Sequence, residues 1–241
     1  MIGNYISLTD SEPATQSNLK NQIKPQNERT NAMKNTTSQT FSIGGDLSVN
    51  RLGYGAMRLT GQPSNFGPYS DWEGGKALLR RAIQLGVNFI DTAEAYGPGD
   101  NEDIIAEALH PYSVGLAIAT KGGILKPAPG DIRADASPES LRRGVEGSLR
   151  RLKQERIDLY QLLRPDPKVP FSESVQTLAE FKKAGKIRHI GLSNVTLEQL
   201  KEAEEIVPIA SVQNRFSLSN RTHEALLDYC TVNVIAFIPH G

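Results

Sequence analysis

The stretch SPESLRRGVEGSLRRLKQERIDLYQLL (residues 137–163) contains a predicted helix followed by a predicted strand. Ser137 is a good N-cap and proline suits the first helical position, so the helix is predicted over Pro138–Leu152. Its apolar face is formed by Leu141, Val145, Leu149 and Leu152. The apolar run that follows, Ile157–Leu163, predicts a buried strand, so the stretch forms one helix–strand unit.

The same alternation continues on both sides of this stretch. Further strands are predicted at Leu52–Met57, Val87–Asp91, Leu116–Thr120, Ile187–Leu192, Ile209–Gln213 and Val232–Ile238. Between two of them a helix is predicted over Ser174–Ala184, ended by Gly185, and the next helix begins at Asn194 or Thr196. Alternating strands and helices are typical of a parallel sheet with crossover helices.

Two parallel-sheet architectures fit this pattern, an open doubly wound sheet and a barrel. The one candidate for a dinucleotide-binding glycine loop, GYGAMR at residues 53–58, lacks the third glycine and lies on a predicted strand. We therefore predict an α/β fold of the TIM (β/α)8-barrel type, incomplete, with about seven β/α units. In such barrels the chemistry takes place at the C-terminal ends of the strands.

Composition argues against several classes of function. The chain has 241 residues, enough for one domain, and its Lys+Arg and Asp+Glu counts are both 27. This balance gives no electrostatic reason to expect nucleic acid or an anionic membrane as a partner. No membrane-spanning run or secretory signal is recognisable, and the single cysteine, Cys230, fits a reducing compartment. We expect a soluble, cytoplasmic protein of unknown oligomeric state.

Two regions are expected along the chain. Residues 1–38 are rich in Asn, Gln, Ser, Thr and Lys, and we predict that they form a disordered extension. From residue 39 to residue 241 we expect the ordered barrel domain. It begins with a hairpin at 41–49, in which apolar residues flank Gly44-Gly45-Asp46.

Polar side chains stand where two neighbouring apolar strands stop. Asp91 ends the second strand and Lys121 the third, while Tyr96 lies five residues beyond Asp91. A tyrosine becomes a useful acid when a nearby ammonium lowers its pKa from about 10, and a carboxylate keeps that ammonium charged. Adjacent strands would bring the three groups together. A structural ion pair of Asp91 with Lys121 and an unrelated loop tyrosine remain the alternative.

Other strand ends carry amides and a hydroxyl. Ser193 and Asn194 follow the fifth strand, and Gln213 and Asn214 close the sixth. Ser193-Asn194 fits a helix N-cap as well as it fits a ligand contact. His223 and His240 have no carboxylate or cysteine partner at ligand spacing, so no metal site is expected.

Taken together, the motifs resemble those of the aldo/keto reductase family from Phe41 to the end of the chain. The matching segments are LGYGAMRLTG (52–61), NFIDTAEAYG (88–97), ATKGG (119–123), DLYQL with RPDP (158–167), GKIRHIGLSN (185–194) and SVQNRFS (211–217). The resemblance implies that the hairpin at 41–49 plugs the bottom of the barrel. It also implies reversible reduction of an aldehyde or ketone, a small-molecule carbonyl substrate, with NADPH as cofactor.

The resemblance also implies roles for individual residues. Tyr96 would be the proton donor, Lys121 would lower its pKa, and Asp91 would support Lys121. Ser193, Asn194 and Gln213 would hold the nicotinamide carboxamide, and Asp91 would also belong to the cofactor site. Ala56 and Met57 would line the cofactor and substrate cleft. Leu163 and Arg164 would lie at the substrate. From its position in the loop predicted after the first strand, Trp72 could close over the substrate or could equally pack beneath the next helix.

Two features depart from the family pattern. The fourth strand of the family normally ends Leu-His-Arg, whereas this chain has Leu162-Leu163-Arg164. Leucine cannot donate a hydrogen bond to a substrate oxygen, so weak turnover is expected. The chain also stops at Gly241, after the predicted seventh strand, and we therefore expect a barrel truncated at its C-terminal side. A catalytically impaired barrel that binds a cofactor or a protein, and a truncated product without function, are the rival interpretations.

Overall fold

A computed structural model describes residues 39–241 of the protein, and the predicted disorder of residues 1–38 lies outside this range. The strands, in chain order, are β1 (Thr40–Ile43), β2 (Leu47–Asn50), β3 (Tyr54–Gly55), β4 (Phe89–Asp91), β5 (Ala117–Gly122), β6 (Ile124–Ala128), β7 (Asp131–Ala134), β8 (Ile157–Leu162), β9 (Ile187–Ser193), β10 (Ile209–Arg215) and β11 (Ala236–His240). The helices are α1 (Trp72–Gln84), α2 (Asp100–Leu109), α3 (Pro138–Arg151), α4 (Phe171–Lys183), α5 (Leu197–Glu204) and α6 (Glu224–Val232).

Seven strands form one sheet in the order β11-β10-β9-β8-β5-β4-β3, and every neighbouring pair is parallel. Within the described residues β3 and β11 each pair on one side only. The sheet curls so that these two edge strands face one another across a cleft that both of them line. The prediction of an incomplete (β/α)-barrel is therefore confirmed.

The helix signals in the sequence correspond to observed caps. The Ser137 side chain accepts a hydrogen bond from the Ser140 N–H at the start of α3. At α5 the N-cap is Thr196, which forms a capping box with Gln199, so Asn194 does not start this helix. Among residues 39–241 no helix is long and apolar enough to cross a membrane.

The hairpin β1–β2 covers the N-terminal end of the barrel strands. Its apolar residues Ile43, Leu47 and Val49 are buried in one cluster with core residues of the sheet, Phe89 among them. At its turn, Asp46 accepts hydrogen bonds from Arg188 at 3.0 Å and contacts His189 Nε2 at 2.5 Å. The turn thus fastens the hairpin to the beginning of β9.

Several elements differ from the sequence prediction. Helix α4 begins at Phe171, three residues before the predicted Ser174. The first strand is shorter than predicted, because only Tyr54–Gly55 pair with β4. Val232 belongs to α6 and is exposed, and β11 starts four residues later at Ala236. The antiparallel hairpin β6–β7 was not predicted, although its turn contains Pro129-Gly130 with a positive φ of 79° at the glycine.

Candidate active site

The predicted site residues Asp91 and Lys121 meet at the C-terminal end of the sheet. Parallel pairing of β4 with β5 places the ends of these strands side by side. The Lys121 Nζ lies 2.7 Å from Asp91 Oδ2 and also donates to the Thr92 carbonyl at 2.8 Å. The lysine side chain is fully buried, whereas 15% of the Asp91 side chain is exposed.

The local charges keep this lysine protonated. Burial by itself lowers the pKa of Lys121, but the Asp91 carboxylate and the Tyr96 phenol raise it by more, so its pKa lies above 10.5. Tyr96 is half-buried on the turn after β4, and its ring centroid lies 5.3 Å from the ammonium nitrogen. The fold therefore brings carboxylate, ammonium and phenol into one cluster.

Gln161 is a member of this cluster that the sequence interpretation missed. Its register partner across the sheet is Lys121, and its amide donates to Asp91 Oδ1 at 3.1 Å. Both carboxylate oxygens of Asp91 are thus engaged, one by the ammonium and one by the amide. The available signal was a buried-strand pattern, DLYQLL, interrupted by one amide.

Polar residues on β9 and β10 lie next along the sheet. Ser193 and Gln213 are register partners and both are buried, while Gln213 also lines the cleft. Asn194 has a positive φ of 57°, and its amide donates to the Leu163 carbonyl and the Ser193 hydroxyl, each at 3.0 Å. Asn214 instead holds the backbone of Val195 through two hydrogen bonds of 2.7 and 3.2 Å.

The two residues that follow β3, Ala56 and Met57, differ in exposure. Ala56 is fully buried, and its N–H donates to the Asp91 carbonyl at 2.8 Å. Met57 is 37% exposed, so its side chain can contact a ligand. The cleft itself is lined by Tyr54 and Gly55 rather than by Ala56 or Met57.

The three predicted substrate residues are not all at this site. Leu163 follows β8, is half-buried, and donates its N–H to the Gly122 carbonyl at 2.8 Å, and Arg164 beside it is exposed. Trp72 begins α1, and its indole donates to Glu107 Oε2 on α2 at 2.8 Å. It lines a separate pocket with residues of α2 and the end of α3, and not the cleft, so its position agrees with the packing alternative.

The cleft between the edge strands β3 and β11 has a volume of about 590 Å³. Asp91 and Gln213 line it on the sheet side, and Phe237 and His240 line it on β11. Partial burial, followed by the positive charge of Lys121, lowers the pKa of His240 below its ordinary value. The part of the chain that the structure describes contains no cluster of three or more His, Cys, Asp or Glu side chains able to hold a metal ion.

Comparison with known proteins links this geometry to one family. The model of the aldo/keto reductase family matches residues 51–241. An uncharacterized oxidoreductase of Schizosaccharomyces pombe is 49% identical over 195 residues, which cover 81% of this chain and 63% of the relative. Pyridoxine 4-dehydrogenase of Escherichia coli is 41% identical over 209 residues, covering 84% of this chain and 72% of the relative.

A solved structure shares the fold. The aldo/keto reductase from Klebsiella pneumoniae in complex with NADP and acetate superposes with a TM-score of 0.68 at 26% identity, covering 84% of this chain and 67% of that one. The present chain therefore spans only about two thirds of the length of these proteins.

Proposed function

This chain belongs to the aldo/keto reductase family, and we propose that it reduces aldehydes or ketones to alcohols with NADPH as the reductant. One observation carries the proposal: the fully buried Lys121 ammonium lies 2.7 Å from the Asp91 carboxylate and 5.3 Å from the centroid of the Tyr96 ring. A structural ion pair needs no phenol beside it. A carbonyl reductase needs an acid that can give a proton to the nascent alkoxide.

Each member of the cluster has a task in this reaction. Tyr96 gives its hydroxyl proton to the carbonyl oxygen, which becomes the alcohol. The Lys121 ammonium stabilises the phenolate that remains. Asp91 keeps Lys121 charged despite its burial, and Gln161 holds the second carboxylate oxygen in place.

The polar residues on β9 and β10 fit a nicotinamide carboxamide. An amide group requires both donors and acceptors, which the Ser193 hydroxyl and the Asn194 and Gln213 amides can supply from adjacent strand ends. Met57, which is 37% exposed, is free to offer an apolar contact to a ligand. When bound, NADPH supplies the hydride to the carbonyl carbon.

Leu163 favours a second candidate, an impaired reductase that mainly binds its cofactor. The leucine is half-buried at the end of β8, where the family has a histidine. Loss of one polarising donor typically reduces turnover by about 10²–10³-fold. Saturable NADPH binding without detectable turnover would support this candidate.

The test is NADPH oxidation followed at 340 nm with the purified chain and a broad panel of aldehydes. Pyridoxal belongs in the panel, because one relative is a pyridoxine 4-dehydrogenase. We expect slow, saturable turnover that Tyr96→Phe abolishes and that Tyr112→Phe leaves intact, since the Tyr112 hydroxyl bonds the Leu152 carbonyl away from the cleft. NADPH fluorescence quenching measures binding separately. Equal turnover in the wild type and Tyr96→Phe would refute the proposal.

We further propose that the protein acts in the cytoplasm on small molecules and without nucleic acid. The balanced charge supports the absence of a nucleic-acid partner. The free, buried Cys230 is consistent with a reducing compartment such as the cytoplasm. Burial raises the pKa of this thiol to about 12, so it stays protonated and is a poor nucleophile. Cell fractionation with an antibody to the chain would test the location.

A further inference from the structure

Asn101, the second residue of α2, is a fully buried amide that the proposed reaction does not use directly. Its side-chain oxygen accepts a hydrogen bond from the Thr92 hydroxyl at 2.6 Å. Its side-chain nitrogen donates to the carbonyls of Ala56 at 2.8 Å and Leu59 at 2.9 Å. Its backbone N–H donates to the Tyr96 carbonyl at 3.2 Å. Because both the oxygen and the nitrogen of the side chain are bonded, the amide is fixed in one orientation.

These four bonds join the two loops that surround the candidate active site. Ala56 and Leu59 belong to the loop after β3, and Thr92 and Tyr96 belong to the loop after β4. Thr92 is itself bound to the site, because its carbonyl accepts a hydrogen bond from Lys121 at 2.8 Å. Asn101 is therefore one bond from Tyr96 through the backbone and two bonds from Lys121 through Thr92.

A role in capping the helix does not explain this residue. The N-cap of α2 is Gly99, which has no side-chain cap hydrogen bond. An asparagine within the first turn would ordinarily serve the local backbone. Here its side chain instead reaches residues that are 9, 42 and 45 positions away in sequence.

We propose that Asn101 is a positioning residue that sets the distance between the Tyr96 phenol and the Lys121 ammonium. The inference rests on the proposed carbonyl reduction. Asn101 acts through the Thr92 carbonyl on one side and the Tyr96 backbone on the other. Loss of its two donated bonds removes two of the hydrogen bonds that join the loop after β3 to the loop after β4. A displacement of about 1 Å at a reacting group can lower a rate by about 10²-fold.

The test compares Asn101→Asp with the matched variant Asn88→Asp. An aspartate at position 101 keeps the shape and the bond from Thr92 but loses both donors. Asn88, at the opposite end of the barrel, makes a comparable set of bonds to backbone groups, accepting from Asn50 at 2.6 Å and donating to Ser48 and Gly115 at 3.3 Å. We expect Asn101→Asp to lower kcat by about 10–100-fold with little change in KM. Asn88→Asp should leave both constants near the wild-type values.

A second measurement does not depend on turnover. Acetylation of Lys121 by N-hydroxysuccinimidyl acetate, followed by peptide mass spectrometry, reports how well the ammonium is held. We expect several-fold faster acetylation of Lys121 in Asn101→Asp and an unchanged rate in Asn88→Asp. If Asn101→Asp does not fold by circular dichroism, Thr92→Val, which removes one bond of the same link, replaces it.

A wild-type rate of Lys121 acetylation in the position-101 variant, or an equal increase in the Asn88 control, would overturn the inference. An absence of turnover in the wild type would refute the proposed function, and the acetylation rates would still decide the role of Asn101.

Discussion

The Asp91–Lys121 pair allows a quantitative prediction about stability. In Asp91→Asn the fully buried Lys121 ammonium loses its carboxylate partner. Breaking a buried ion pair on one side costs about 3–5 kcal/mol of unfolding free energy. We expect the lower end, about 3 kcal/mol, because the Asp91 side chain is 15% exposed and the Thr92 carbonyl still accepts from the lysine. For a domain of this size the melting temperature should fall by about 6–12 °C.

The double variant Asp91→Asn with Lys121→Met measures the interaction energy between these two side chains, apart from their contacts with other residues. Once the charge is removed, the asparagine introduced at position 91 no longer faces an unpaired ammonium. The double variant should therefore be more stable than the sum of the single changes predicts, by about 2 kcal/mol. The measurement is urea unfolding at pH 7.5. Because the pKa of Lys121 is raised, its contribution to stability is complete below 10.5 and is lost only at higher pH.

An exposed pair provides the control. Arg142 and Glu180 form an ion pair of 3.0 Å with about half of each side chain exposed, and the same cycle of substitutions should give a coupling below about 1 kcal/mol. Additivity of the Asp91 and Lys121 substitutions within about 0.5 kcal/mol would refute the view that the ammonium depends on this carboxylate.

Three further outcomes are expected. Leu163→His should raise kcat/KM at 340 nm by about 10²–10³-fold, and an unchanged rate in a folded, NADPH-binding variant would contradict the role assigned to this position. Burial is the main cause that lowers the pKa of His189, so protonation of this residue favours the unfolded state and the protein should lose stability as the pH falls below 6.5. The melting temperature of His189→Gln should therefore change less between pH 7.5 and 5.5 than that of the wild type. Gly44→Ala should lower the free energy of unfolding in urea by about 2–4 kcal/mol, because φ is +61° and a Cβ would lie 2.2 Å from the His189 ring. Gly45→Ala, which also has a positive φ but open space at its Cβ, should lower it by only about 1–2 kcal/mol. Equal losses in the two variants would disprove the contact with His189.

The apolar pattern of the sequence was sufficient to predict the barrel fold and the strand ends that carry Asp91 and Lys121. A buried parallel strand is a run of apolar residues, so the residue at which the run stops identifies the end of the strand. Asp91 and Lys121 were found in this way, and parallel pairing then explains why they meet. The assignment of the first strand was less accurate, because only two residues of the run Leu52–Met57 pair with β4.

Contacts that depend on register or on loop paths could not be predicted in the same way. Gln161 contacts Asp91 because β8 pairs with β5 in one particular register, which the apolar pattern of the strand does not specify. Asn101 contacts Ala56 and Leu59 across more than 40 residues of chain, and Trp72 turns toward Glu107. The catalytic roles of Tyr96, Lys121 and Asp91 remain predictions until their variants are assayed.

The bond between Asp46 and His189 spans 143 residues, and this separation has a consequence during synthesis. The hairpin leaves the ribosome long before β9 exists. The cluster around its apolar residues Ile43, Leu47 and Val49 is completed later still, by Ala210 on β10 and Ala236 on β11. At 5–20 residues per second the interval is on the order of ten seconds. A nascent chain in this state exposes an apolar, strand-forming segment, and it is prone to aggregation until the later strands are made.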